Sequence, residues 1–119
     1  MEPTDIERWL ESYERAWATN DPADIEALFT EDARYLTAPH RKPWVGREEI
    51  VRGWLERKDE PGWTFEGRVL AVQDDLAFVQ GRTVYHSEGK AYANLWVIRM
   101  APDGRAASEF TEWWMEEGS

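Results

Sequence analysis

Residues 63–100 read WTFEGRVLAVQDDLAFVQGRTVYHSEGKAYANLWVIRM, and the spacing of their apolar side chains decides the fold. From Trp63 onward the apolar period is two, the alternation of a β-strand, whereas before it the period is three to four. Strands are predicted at Thr64–Val72, Leu76–His86, Lys90–Met100 and Arg105–Met115. Three short connections separate them: Gln73-Asp74-Asp75, Ser87-Glu88-Gly89 and Ala101-Pro102-Asp103-Gly104, each rich in turn formers. The result is an antiparallel meander, with Gly67 and Gly81 as candidate bulges that bend it.

Upstream the pattern is helical. Thr4-Asp5-Ile6-Glu7 reads as a capping box, followed by a stripe of Ile6, Trp9, Leu10, Tyr13 and Trp17. Asp21 and Pro22 suit the N-cap and first position of a second, short helix that buries Ile25, Leu28 and Phe29. Ala33 to Thr37 reads as a short strand and Ala38 to Trp44, with two prolines, as a loop. Gly46 opens a third helix with Glu48 and Glu49 in its first turn and Ile50, Val51, Trp54 and Leu55 facing inward. Helices first and strands afterwards give an α+β class.

The chain has 119 residues, which suits a single domain spanning 1–119. Its 14 Lys+Arg against 24 Asp+Glu leave a net charge of −10, which repels phosphate backbones and anionic lipid surfaces. We therefore expect neither nucleic acid nor membrane as a partner. The absence of cysteine excludes disulfides and thiolate chemistry, and the polar start, Met1 to Asp5, does not resemble a secretory signal. A cytoplasmic location is the expectation. His40 and His86, 46 residues apart, offer no metal-ligand pattern, so no metal and no cofactor is expected.

Eight tryptophans are spread along the chain: Trp9, Trp17, Trp44, Trp54, Trp63, Trp96, Trp113 and Trp114. Such rings can fill a core, wall a cavity or form an interface. The late strands are apolar on both faces, and three short helices can cover only one of them. The other face is expected to pack on a second copy of the chain, as a homodimer through sheet faces.

Tyr13 through Trp17 with Asn20-Asp21, Ile25 to Phe29, Asp32-Ala33, Pro43 through Gly46, Ile50 with Trp54, and Asp103-Gly104 carry a family resemblance. From about Arg8 to Trp114 the sequence resembles the SnoaL-like families of the nuclear transport factor 2-like superfamily. The resemblance implies a cone-shaped, cystatin-like α+β barrel, three helices in the first half packed on a curved antiparallel sheet with an apolar pocket at its open end. It implies little about reaction, because the fold hosts isomerases, cyclases, dehydratases and binding proteins. Set against the ketosteroid isomerase of that superfamily, Tyr13 falls at the oxyanion tyrosine, Thr37 at the base and Trp96 at the second carboxyl. A threonine hydroxyl and an indole supply neither function, so ketosteroid-type isomerisation is rejected.

The expected ligand is a small apolar or aromatic molecule among Tyr13, Trp17, Tyr35, Thr37, Trp54, Asn94, Trp96 and Trp113. Any chemistry would be proton transfer without a cofactor, of isomerase, lyase or cyclase type. Tyr13, His40 and Glu109 are the candidate catalytic groups, Glu109 on the reasoning that Trp113 and hence Glu109 face inward, with Arg82 as a competing ion-pair partner. The alternative is a non-catalytic dimerisation or interaction module in which the rings meet and fill the cone.

Overall fold

The computed structural model describes residues 1–117. Helix α1, Pro3–Thr19, starts two residues earlier than the sequence pattern implies. Pro3 occupies the first turn, and the Asp5 carboxylate accepts from the Glu2 backbone N–H at 2.8 Å, so the box is built on Glu2 and Asp5 rather than on Thr4 and Glu7. The helix stops at Asn20, whose backbone is left-handed (φ 54°) and whose N–H returns to the Ala16 carbonyl at 2.8 Å. Helix α2, Pro22–Glu26, is capped as expected, the Asp21 carboxylate accepting from Ala23 N–H at 2.9 Å.

Strand β1, Phe29–Leu36, takes over residues that the sequence pattern gives to α2. Leu28 lies past the end of the helix, and its carbonyl accepts from the Trp9 indole at 3.0 Å and from the Ala107 N–H at 2.8 Å. Trp44–Val45 forms a two-residue strand, β2, beginning at the last residue of the stretch read as a loop. Helix α3, Arg47–Glu56, follows, and then β3 (Trp63–Gln73), β4 (Leu76–Tyr85), β5 (Lys90–Met100) and β6 (Ala107–Glu116).

These strands form one curved six-stranded sheet in the order β2-β1-β6-β5-β4-β3. The expected all-antiparallel sheet is corrected in one place: β1 pairs with β6 in parallel, Tyr35 lying beside Phe110. The chain leaves β1, crosses through β2 and α3, traces the meander and returns to pair in parallel with its own first strand. The bulges also differ from expectation. In β3 the register slips between Val69 and Ala71, not at a glycine. Gly67 and Gly81 instead lie opposite one another under the Phe65 ring, where a Cβ at Gly81 would sit 2.4 Å from a ring carbon. That clearance lets Phe65 lie flat on Trp96 at 4.8 Å.

All three helices cover the same sheet face. Between them lie Ile6, Trp9, Tyr13, Ile25, Phe29, Tyr35, Ile50, Trp54, Val79, Trp96, Ile98 and Phe110, all buried. The opposite face carries Leu95 and its cross-strand partner Trp113, with Met115 two residues on; they are 37%, 52% and 71% exposed.

Candidate functional site

Most of the core rings touch: Tyr13 packs on Trp54 at 5.1 Å and on Trp96 at 4.7 Å, and Tyr35 stacks on Phe110 at 4.5 Å. They fill the closed end of the cone. At the open end a cavity of about 460 Å³ remains between α1, the turn after α3 and the inner face of β4, β5 and β6. The alternation of β6 decides what enters it. Register pairs Trp96 with Glu112 and Asn94 with Trp114, and directly opposed residues share a face. Glu112 and Trp114 therefore point into the cavity together with Trp96 and Asn94, while Glu109, Thr111 and Trp113 point away.

Two of the expected positions are corrected by this. Trp113 is on the outer face and does not line the cavity, and Glu109 is exposed on that same face. Arg82 pairs with Glu117 at 2.8 Å and not with Glu109. His40 is exposed on the loop after β1 and lies outside the cavity lining; His86 is exposed and meets Thr64 Oγ1 through Nε2 at 3.0 Å. Tyr13, Trp17, Tyr35, Thr37, Trp54, Asn94 and Trp96 are brought together around the cavity. The signal for Glu112 was present in the sequence: Phe110, Glu112 and Trp114 share one parity, and Phe110 is the most apolar of the strand's inner candidates.

Glu112 is the centre of a hydrogen-bonded chain. Its Oε2 accepts from Asn94 Nδ2 at 2.6 Å and from Trp96 Nε1 at 3.1 Å; Thr83 Oγ1 in turn donates to Asn94 Oδ1 at 2.8 Å. Neither contact uses Oε1. Burial pushes the carboxyl above the usual glutamate range, and the two donated hydrogen bonds only partly oppose it, while the charge of Asp59 pushes the same way as burial. A second carboxylate, Asp59 on the turn after α3, accepts from the Trp17 indole at 2.9 Å and the Tyr85 hydroxyl at 3.0 Å, both through Oδ2. The Trp17 ring is held further by stacking on Trp63 at 3.9 Å, and the Trp54 indole donates to Asn20 Oδ1 at 3.1 Å.

The hydroxyls of Tyr13 and Tyr35 meet at 2.7 Å. Burial raises both phenols far above their ordinary range, and the nearby charge of Glu112 adds to the rise, so both remain protonated. Two hydroxyl protons share a single mutual hydrogen bond, which leaves one O–H for an acceptor in the cavity. The arrangement thus offers a neutral O–H donor and a desolvated carboxyl within one aromatic enclosure. Among the described residues no group of three or more His, Asp or Glu side chains is placed to hold a metal ion, and no helix is long and apolar enough to cross a membrane.

A family model described as a SnoaL-like domain matches residues 6–113, nearly the whole chain. The chain belongs to the SnoaL-like family. Solved structures similar to this SnoaL-like chain share its fold at low identity. A ketosteroid isomerase-like protein from Erwinia carotovora atroseptica is 21% identical with a TM-score of 0.70, covering 99% of this chain and 98% of that one. An NTF-2 like protein of unknown function from Burkholderia xenovorans is 13% identical with a TM-score of 0.75, covering 98% and 87%. A protein of unknown function with a cystatin-like fold from Methylobium petroleophilum is 14% identical with a TM-score of 0.74, covering 100% and 81%. No curated protein matches the SnoaL-like chain.

Proposed function

We propose that this SnoaL-like protein binds a small cyclic or aromatic carbonyl compound in its open-end cavity and moves a proton on it without a cofactor. Glu112 carries this reading: a desolvated carboxyl lining the cavity, held through Oε2 by Asn94 and Trp96. In the proposed step Glu112 takes a proton from the carbon next to the carbonyl, and the spare hydroxyl proton of the Tyr13–Tyr35 pair hydrogen-bonds the oxygen where charge develops. Return of the proton to another carbon gives isomerisation; loss of a neighbouring hydroxide as water gives dehydration. The base comes from β6 here, whereas Thr37, just after β1, offers only a hydroxyl.

The test is solvent exchange. A cyclic ketone probe such as 2-tetralone, incubated with the protein in D₂O, is expected to gain deuterium faster than in buffer. Glu112→Gln keeps the shape and removes the base, and is expected to slow the catalysed part by about 10²-fold, the ordinary size of a general-base contribution. Equal exchange by the two proteins would remove Glu112 from the mechanism.

A second observation favours self-association as a further role. Leu95, Trp113 and Met115 form an exposed apolar strip on the sheet face that no helix covers. We propose that two copies pack through this face. Sedimentation is then expected to give twice the 13.9 kDa chain mass, and a single-chain mass at micromolar concentration would overturn it.

A further inference from the structure

The cavity of this acidic chain has a mouth of the opposite sign. Arg41, on the loop after β1, and Arg57 and Lys58, on the turn after α3, line its entrance and are exposed there. The ion pairs among the described residues join Arg8 to Asp5, Arg82 to Glu117, Lys90 to Glu116 and Arg99 to Asp75. None of them uses the three cations of the mouth. Arg41 makes one long contact, to Thr37 Oγ1 at 3.4 Å. In a chain with ten more acidic than basic groups, side-chain carboxylates to neutralise these cations are plentiful, yet none forms an ion pair with them among the described residues.

Two of the three carboxylates that line the same cavity are in the reverse position. Glu112 and Asp59 each already receive two donated hydrogen bonds from neutral groups of the protein. Of the exposed charged groups that line the cavity, the three cations Arg41, Arg57 and Lys58 outnumber the one carboxylate, Glu88, and none of the four joins an ion pair among the described residues. The placement of the cations is not loose either, because Asp59 ties the turn that carries Arg57 and Lys58 to Trp17 on α1 and to Tyr85 on β4.

From this segregation we infer that the ligand is an aromatic or cyclic carboxylate, its ring among the tryptophans and its anionic end held at the mouth by Arg41, Arg57 and Lys58. The inference rests on the proposed use of the cavity and adds the charge and orientation of what enters it. A carboxylate placed deep would meet Glu112 and Asp59 with like charge, so one orientation is selected. The net negative field of the protein is overcome locally by three cations close together, an attraction that salt screens because all three are exposed.

The experiment uses three probes with one ring and three charges: 2-naphthylacetate, 2-naphthylacetamide and 2-(2-naphthyl)ethylamine, titrated calorimetrically into the full chain. The anion is expected to bind about tenfold tighter than the amide, the scale of two or three exposed charge contacts. The advantage is expected to vanish in 0.5 M salt and in the double variant Arg57→Ala/Lys58→Ala, with the amide unaffected. Both substitutions are at exposed positions, and far-UV circular dichroism checks that the fold is kept. Equal binding of anion and amide overturns the inference and leaves the cavity reading standing. Tightest binding by the amine overturns it in favour of Glu112 and Asp59 as cation receptors. Heat from none of the three overturns the cavity reading and this inference with it.

Discussion

At Glu112 the balance between burial and hydrogen bonding has a consequence that pH reveals. Its carboxyl is raised in the folded protein, so the folded state holds that proton more tightly than the unfolded chain does. Between the unfolded and folded values the folded state carries more protons, and stability falls as pH rises. The favourable contribution is complete below the ordinary glutamate range and is lost once pH has passed the raised folded value. Glu112→Gln cannot ionise, so its stability is expected to lose this downward slope, and the wild type minus variant difference is expected to fall with pH across that window. Urea unfolding at a series of pH values measures it, and parallel curves would mean that Glu112 is solvated like a surface carboxylate. At Gly81 the argument is steric. A Cβ there would lie 2.4 Å from Phe65 Cε1, so Gly81→Ala must displace the ring from its stack on Trp96. A loss of about 1–3 kcal/mol is expected, as for other overpacked cores, read from the shift in urea midpoint.

At the scale of elements the turn after α3 is held by one carboxylate. Asp59→Asn weakens the common acceptor of the Trp17 indole and the Tyr85 hydroxyl, and removes a charge. Tyr85 is raised first by burial and then by Asp59, so the variant is expected to titrate at lower pH than wild type while staying above a free tyrosine. Phenolate absorbance at 295 nm checks this, and an unchanged titration would detach Asp59 from Tyr85. The elements themselves were largely legible. Helices announced by Tyr13, Trp17 and Trp54, and strands announced by two-residue alternation, are local patterns. The parallel pairing of β1 with β6 was not legible, because Tyr35 and Phe110 are joined by no local signal. The face of β6 was ambiguous for a related reason: Trp113 and Trp114 are equally bulky, and only pairing of Glu112 with Trp96 fixes which points inward. Of the candidate site, the aromatic walls could be read from composition and spacing. The deep carboxyl was legible only through the parity it shares with Phe110, and the equal bulk of Trp113 and Trp114 masked that signal.

For the molecule as a whole, the two proposals use the two faces of one sheet, the inner for a ligand and the outer for a second copy. Trp113 and Trp114 stand next to each other in the chain and are 52% and 45% exposed, yet they serve opposite faces. Introducing the same charge at each separates the tasks in two variants of identical composition. Trp113→Asp places a carboxylate in the apolar strip with Leu95 and Met115, so it is expected to shift the sedimenting species towards one chain and leave probe binding intact. Trp114→Asp places the charge at the cavity, beside the register of Asn94, so it is expected to weaken a ring-bearing anion and leave the mass unchanged. Both residues are partly exposed, which keeps the folding cost of each substitution comparable. A cavity that is built within one chain gives this crossed result. If Trp113→Asp abolished both association and binding, the cavity would depend on the paired state, and the independence of the two faces would be lost.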